Sequence, residues 1–302
     1  MSEHKGLWMP VSLDDDALVL ELRRSVSAVA LVQGLLQSKA VTSRVFARAQ
    51  LTRGGEPLTR HDRLETGEQV RLAFHRERHE APAATQLPQV IYRDPLMLAV
   101  DKPAGLLVHG DGSETQTLTD QVSALLASED SPAVPQAVQR LDVETTGVVL
   151  FSLTEEFQPT LDALVAGHGM RKRYLAVVEG KLKGTKDAWR VLNKPIARDR
   201  HDARKMRVGG SGKPALTRVR TLAMREGRSL LLVELGTGRR HQIRVHLAHA
   251  GHPILGDILY GGCPHHDGLM LHAWQEELAH PITGEHVTLQ APYPARFARL
   301  FP

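Results

Sequence analysis

The run Val148-Val149-Leu150-Phe151 is β-branched and aromatic enough to require a buried strand. Directly ahead of it stands Gln139-Arg140-Leu141-Asp142-Val143-Glu144-Thr145-Thr146-Gly147. A guanidinium and a carboxylate two residues apart therefore sit at the mouth of that strand, with Thr145, Thr146 and Gly147 shaping a turn. An Asp placed there is held on rigid backbone in a fixed direction, as a catalytic carboxylate must be. The plain alternative is an Arg and an Asp in a solvated turn, and the nonapeptide alone leaves both open.

With 302 residues, 42% of them apolar, the chain has material for one large or two ordinary domains. No run of eighteen apolar residues occurs, and Met1-Ser2-Glu3-His4-Lys5 lacks the basic-then-apolar order of a signal peptide, so a cytoplasmic protein without a membrane partner is expected. The single cysteine, Cys263, allows neither an internal disulfide nor a thiolate zinc site. A net charge of +4, from 38 Lys plus Arg against 34 Asp plus Glu, permits a polyanionic partner without demanding one. The placement of the charges matters more than their sum.

Residues 1 to about 20 show little periodicity and suggest an entry strand or a loosely held arm. Apolar spacing predicts helices over Ser27–Gln37 and Ser43–Ala49, the second carrying Arg44 and Arg48 as i,i+4 neighbours. Gly54-Gly55 marks a hairpin turn, and a strand is expected at Val70-Arg71-Leu72. This order resembles S4-type RNA-binding domains, with Ser43-Arg44 and Thr66-Gly67-Glu68 corresponding and Gly54-Gly55 replacing the usual Asn-Gly. The resemblance implies phosphate contacts by Arg44, Arg48 and Arg53; the alternative is a solvated helix face diluted by Glu56, Asp62, Glu65 and Glu68. Residues 1–80 are thus read as a small, divergent S4-like α/β domain, the Pro/Ala-rich residues 81–89 as a linker, and 90–302 as the catalytic domain.

Further motifs extend the pattern. Lys102-Pro103-Ala104-Gly105, the Arg-Leu-Asp-x-x-Thr-Thr-Gly stretch, Arg171-Lys172-Arg173-Tyr174, and Thr237-Gly238-Arg239-Arg240-His241-Gln242-Ile243-Arg244-Val245-His246 follow in order. Together they resemble the RluA-type RNA pseudouridine synthases, over about residues 90 to 290. Gln139 stands for the family's His, Thr146 for a Ser, Asp101 for an Asn and Arg240 for a Thr.

The resemblance implies an α+β fold, a largely antiparallel mixed sheet flanked by helices and loops. It implies an isomerase that needs no cofactor or metal, with Asp142 as catalytic carboxylate and Tyr174 as the ring that stacks on uracil and handles a proton. Arg244 is the expected ion-pair partner of Asp142, with Arg239 the second possibility, and Arg140 is expected to fill the gap a flipped base leaves. Arg239 and Lys205 join Arg44 and Arg48 as RNA contacts, Lys205 within a basic stretch from Gly180 to Arg220 that includes Lys183 and Lys186; Lys102 either contacts RNA or, with Pro103 and Gly105, has a purely structural role shaping a loop beside the active site. The expected partner is structured RNA, ribosomal or transfer, bound by a monomer. A Ser152/Glu155 capping box is expected before the helix containing Phe157, Leu161 and Leu164.

Three rival readings keep different chemistry. A glycosidase would pair Asp142 with Glu144. A metalloenzyme would draw on His246, His249, His252, His265 and His266 among the 16 His, although His241 and His246 lack zinc-helix spacing. A non-catalytic RNA-binding protein would use the synthase fold as a platform.

Overall fold

The computed structural model describes residues 6–76, 82, 84–110, 116–167, 169–182 and 188–302. Lys183 and Lys186 of the basic stretch, residues 1–5 of the expected arm and positions 81 and 83 of the expected linker fall outside them. No helix among the described residues is long and apolar enough to cross a membrane.

A ten-stranded sheet runs Arg190–Leu192, Thr217–Arg225, Arg228–Leu235, Met170–Glu179, Leu271–Ala279, Thr146–Ser152, Met97–Lys102, Gln89–Arg93. Gln136–Ala137 adds beside Thr146–Ser152, and His286–Gln290 beside Leu271–Ala279. All its pairings are antiparallel except that of Thr146–Ser152 with Leu271–Ala279. The protein is therefore α+β with the largely antiparallel mixed sheet that the resemblance implied.

The parallel pair sets the position of the loop containing Asp142. Gly147 faces Ala273 with φ +109°, and a Cβ there would fall 2.1 Å from the Ala273 carbonyl oxygen. Any side chain would drive the strands apart, so the turn ahead of Thr146 depends on this glycine. Along the central strands side chains alternate between two cores: Leu98, Val100, Val149 and Phe151 enter one, Met97, Ala99, Val148 and Leu150 the other.

The second core continues without a break into the N-terminal unit, through Leu18, Leu20, Leu72 and the helix Gln158–Ala166. That unit is a five-stranded antiparallel sheet, Trp8–Leu13, Ala17–Leu22, Gln69–Ala73, Leu51–Arg53, Glu56–Pro57, with helices Ala28–Leu36 and Lys39–Ala47. Of the two readings of the N-terminal residues, the entry strand holds: residues 8–22 form a hairpin at the sheet edge whose outer strand is largely exposed. One expectation is corrected: the second helix begins several residues early, because the Ser38 hydroxyl accepts the Val41 N–H and caps it. Gly54 and Gly55, both at positive φ, make the expected hairpin turn.

The Ser152/Glu155 capping box does not form. Thr154 Oγ1 instead accepts the Phe157 N–H, and Glu155 meets Arg48 and Arg44 of the N-terminal unit. Beside it, buried Glu156 accepts from Gln50 Nε2 at 2.6 Å and the His75 N–H at 2.9 Å. Arg44 and Arg48 thus serve docking of the N-terminal unit through Glu155. A capping box forms elsewhere, between Thr117 and Asp120.

Candidate active site

Asp142 stands in the turn before Thr146–Ser152, where the Thr145 N–H closes onto the Asp142 carbonyl at 3.0 Å. The next carbonyl, of Val143, accepts from the Gly105 N–H at 3.0 Å and from Lys102 Nζ at 2.7 Å. Lys102 is fully buried, and its ammonium also meets the carbonyls of Pro103 at 2.9 Å and Leu106 at 2.6 Å. Three acceptors use all three N–H donors, which only the charged amine has. Burial pulls its pKa down to about 8, opposed by Glu144 and Asp142, so at neutral pH the ammonium persists. Of the two readings of Lys102, contact with RNA is corrected in favour of the structural role: it is enclosed, and it braces the loop that carries Asp142. A Lys102→Met variant should lose about 3 kcal/mol or more of stability through stranded carbonyls and at least about tenfold in kcat from a displaced loop. The salt dependence of RNA binding should stay as in the wild type, which a titration at several ionic strengths checks.

Arg244 comes from the helix Gln242–His249. Its Nε and Nη2 clasp the two oxygens of Asp257 at 2.8 Å each, and its Nη1 reaches Asp142 Oδ2 at 3.2 Å. The Asp257 side chain is wholly enclosed, whereas 26% of the Asp142 side chain is exposed. The Tyr260 ring lies beneath the guanidinium, 5.1 Å from centroid to Cζ. Burial works against the charge on Arg244, but Asp257 and then Asp142 outweigh it and raise its pKa further. Arg239, the other possibility for this pairing, donates to the Pro214 carbonyl.

His241 caps the same helix at φ +53°, a left-handed conformation uncommon for a residue with a side chain. Its Nε2 lies 3.8 Å from Asp142 Oδ1, and its Nδ1 meets the Tyr260 hydroxyl at 2.8 Å. That hydroxyl also accepts the Met206 N–H at 2.8 Å. Burial lowers the His241 pKa, keeping the ring neutral near pH 7. Met206 belongs to the hairpin of Ile196–Arg198 with Met206–Val208, so the basic stretch is linked to Asp142 through Tyr260 and His241.

Tyr174 lies mid-strand on Met170–Glu179, opposite Val233 and Ala273, and is 7% exposed. Its hydroxyl forms no hydrogen bond among the described residues. Burial, then the charges of Glu276 and Asp142, push its pKa up, so the free enzyme holds a phenol. Behind it, Gln139 Nε2 donates to the buried Glu276 at 2.7 Å. Arg140 is exposed and has no ionic or hydrogen-bond partner among the described residues. Lys205 is half-buried beside the hairpin.

On the other flank, Thr146 Oγ1 accepts from Arg296 Nη2 at 2.8 Å and shares a hydrogen bond with His272 Nδ1, also at 2.8 Å. Burial, reinforced by Arg296, lowers the His272 pKa from 6.5 to about 4. Because the folded-state pKa is depressed, this contribution to stability is complete above pH 6.5 and is lost as pH falls toward 4. The loss should amount to about 3 kcal/mol. Denaturant unfolding between pH 7 and 4 should show that slope in the wild type and a shallower one in His272→Gln.

Asp142 and Arg244 are thus in contact and Tyr174 lies within their field, while Arg44, Arg48 and Lys102 hold other parts of the chain. His241, Asp257 and Tyr260 were not anticipated. Asp257 ends the Gly251-His252-Pro253-Ile254-Leu255-Gly256-Asp257 stretch, and His241 lies inside the Arg-rich motif, so both had a signal in their neighbours.

The histidines of the metal reading are largely engaged: His246 bonds Thr217 Oγ1 and the Lys194 carbonyl, His252 the Glu179 carbonyl. His265, His266 and Asp267 cluster within 4.8 Å, but Arg299 already binds Asp267 at 2.6 Å. For the glycosidase reading, Glu144 lies by Gly268, and the carboxylate sharing Arg244 with Asp142 is the enclosed Asp257.

A family model described as RNA pseudouridylate synthase matches residues 97–249. The chain is 36% identical, over 94% of its length and 87% of the relative's, to the ribosomal large subunit pseudouridine synthase D of Xanthomonas campestris pv. campestris. It is 32% identical to the uncharacterized RNA pseudouridine synthase YhcT of Bacillus subtilis, covering 88% of this chain and 89% of that one. Among solved structures, human RNA pseudouridylate synthase domain containing 4 superposes with a TM-score of 0.56 at 25% identity, over 70% of this chain and 90% of that chain.

Proposed function

Since this chain belongs to the RNA pseudouridylate synthase family, we propose that Asp142 is the carboxylate on which its isomerase chemistry turns. The observation that carries this reading is the Asp142–Arg244–Asp257 chain at the mouth of a buried strand.

Pseudouridine formation detaches uracil from C1′ of ribose, turns it and rejoins it through C5. N1 gains one proton and C5 loses one, so substrate and product are isomers and no redox partner enters. As the glycosidic bond breaks, C1′ becomes cation-like, and an ionised carboxylate beside it acts as nucleophile or charge stabiliser. Arg244 holds Asp142 in place through its Nη1, and Asp257 aims Arg244. The His241 ring stands beside the other Asp142 oxygen, its Nε2 3.8 Å away. Tyr174 offers its ring to the uracil and its hydroxyl to the C5 proton. In the free enzyme its phenol is protonated, so as its oxygen takes the C5 proton its own hydrogen passes through solvent water to N1, which accounts for the one proton C5 loses and the one N1 gains.

The target uridine must first leave the helical stack, at a cost of a few kcal/mol, and Arg140 is free to fill the gap. Lys205 and Arg239 line the approach as phosphate contacts. The substrate is a structured RNA, ribosomal or transfer, and the relatives named for the large ribosomal subunit make its RNA the first to test. Residues 1–80 act as a divergent S4-like unit, joined by the linker 81–89 to the catalytic domain of 90–302. The enzyme works as a cytoplasmic monomer.

Pseudouridine mapping across ribosomal and transfer RNA tests this reading in a strain lacking the gene, complemented with wild type or Asp142→Asn. One or a few sites should vanish on deletion and return with the wild type alone. Return of the same sites with Asp142→Asn would overturn the role given to Asp142.

A further inference from the structure

The far face of the sheet, opposite the helix that carries Arg244, is built for contact. On Thr217–Arg225, Thr217 and Val219 are buried beneath that helix, so Arg218 and Arg220 project the other way. They meet Arg173 and Glu234 of the neighbouring strands, which alternate in the same sense. There Arg171, Arg173, Arg218 and Arg220 join Trp189 and Trp274 around a groove of about 600 Å³.

Three of these guanidiniums are fixed from below. Glu234, only 12% exposed, takes Arg173, Arg171 and Arg218, and Glu277 takes Arg173 at 2.9 Å. The fourth, Arg220, meets no carboxylate among the described residues; it lies over the Trp189 ring at 5.3 Å, and its buried Nε has no hydrogen-bond acceptor. The groove therefore keeps a positive excess and an unsatisfied donor. Trp189, Val191 and Leu222 leave 38%, 51% and 37% of their surface in water, so aromatic and apolar surface is offered beside the charges.

We propose that this groove is a second RNA-binding site, taking an unpaired stretch of the substrate RNA distant from the target uridine. Flat indole faces suit stacked bases without regard to sequence, and arginines fixed by glutamates suit phosphates without an ordering cost. A volume of this size accommodates a nucleotide. Charge complementarity selects a polyanion, and among polyanions one with aromatic groups. The inference rests on the reading of the chain as an RNA-modifying enzyme, and it extends RNA contact to both faces of the sheet.

The test uses the full-length protein, its mapped RNA substrate, and a fluorescein-labelled single-stranded decanucleotide. Trp189→Ala/Arg220→Gln should bind the decanucleotide about tenfold more weakly than wild type, and the salt slope should fall by about one phosphate contact. On the full RNA its KM should rise by a similar factor while kcat holds, and Arg225→Ala should reproduce neither effect. Unchanged affinity and KM in the double variant would overturn the proposal. So would a groove that binds an acidic peptide and releases it to no RNA. A wild-type protein that makes no pseudouridine would instead sink the underlying reading, so the two failures are separable.

Discussion

Asp142→Asn should lower pseudouridine formation by about 10⁴-fold or more, with the fold intact and RNA affinity within a few-fold of wild type. The amide keeps the shape and leaves Arg244 an acceptor oxygen, so the change removes the negative charge and little else. An uncharged oxygen can neither attack C1′ nor balance the positive charge that grows there. Asp142 is partly open to solvent and its carboxylate makes few contacts, so folding depends little on it. Single-turnover assays with enzyme in excess would separate this loss from any change in binding. A variant that keeps a tenth of the wild-type rate would show that the charge acts elsewhere.

Arg244→Met should damage both stability and catalysis. Its guanidinium is the partner of a wholly enclosed carboxylate, and a buried charge left alone costs about 3–5 kcal/mol. Activity should fall at least about a hundredfold, because Asp142 loses the group that aims it. The double variant Arg244→Met/Asp257→Asn removes the stranded charge and should recover at least half of the lost stability, as read by urea unfolding. Its activity should stay at the level of Arg244→Met. Recovery of both together would mean that Arg244 acts through the fold alone.

How much of this was legible beforehand depends on the range of each interaction. Strand Thr146–Ser152 and its glycine could be read locally, because an apolar run and a turn are properties of neighbours. Asp142 and Arg244 were paired through motif resemblance, since 102 residues separate them and no local pattern links them. Arg44 and Arg48 illustrate the limit: their spacing on one helix face was readable, but their partner Glu155 lies 107 residues from Arg48. Lys102 shows the same in another form, since a lysine in a loop reads as solvated until the carbonyls of Pro103, Leu106 and Val143 close around it. Asp257 and Tyr260 act through Arg244 and His241, and a residue that works through another has no chemistry of its own to announce it. The strand Trp8–Leu13 could be read only as one of two alternatives, since no face of it is fully buried and so no apolar period marks it.

The most direct measurement follows the fate of the base itself, in substrate RNA tritiated at C5 of uridine and incubated with the wild-type enzyme. Each uridine lost should yield one pseudouridine and release one tritium to water, with no free uracil at any time. Uracil in solution, or loss of uridine without an equal gain of pseudouridine, would mean that the carboxylate cleaves the bond without rejoining it.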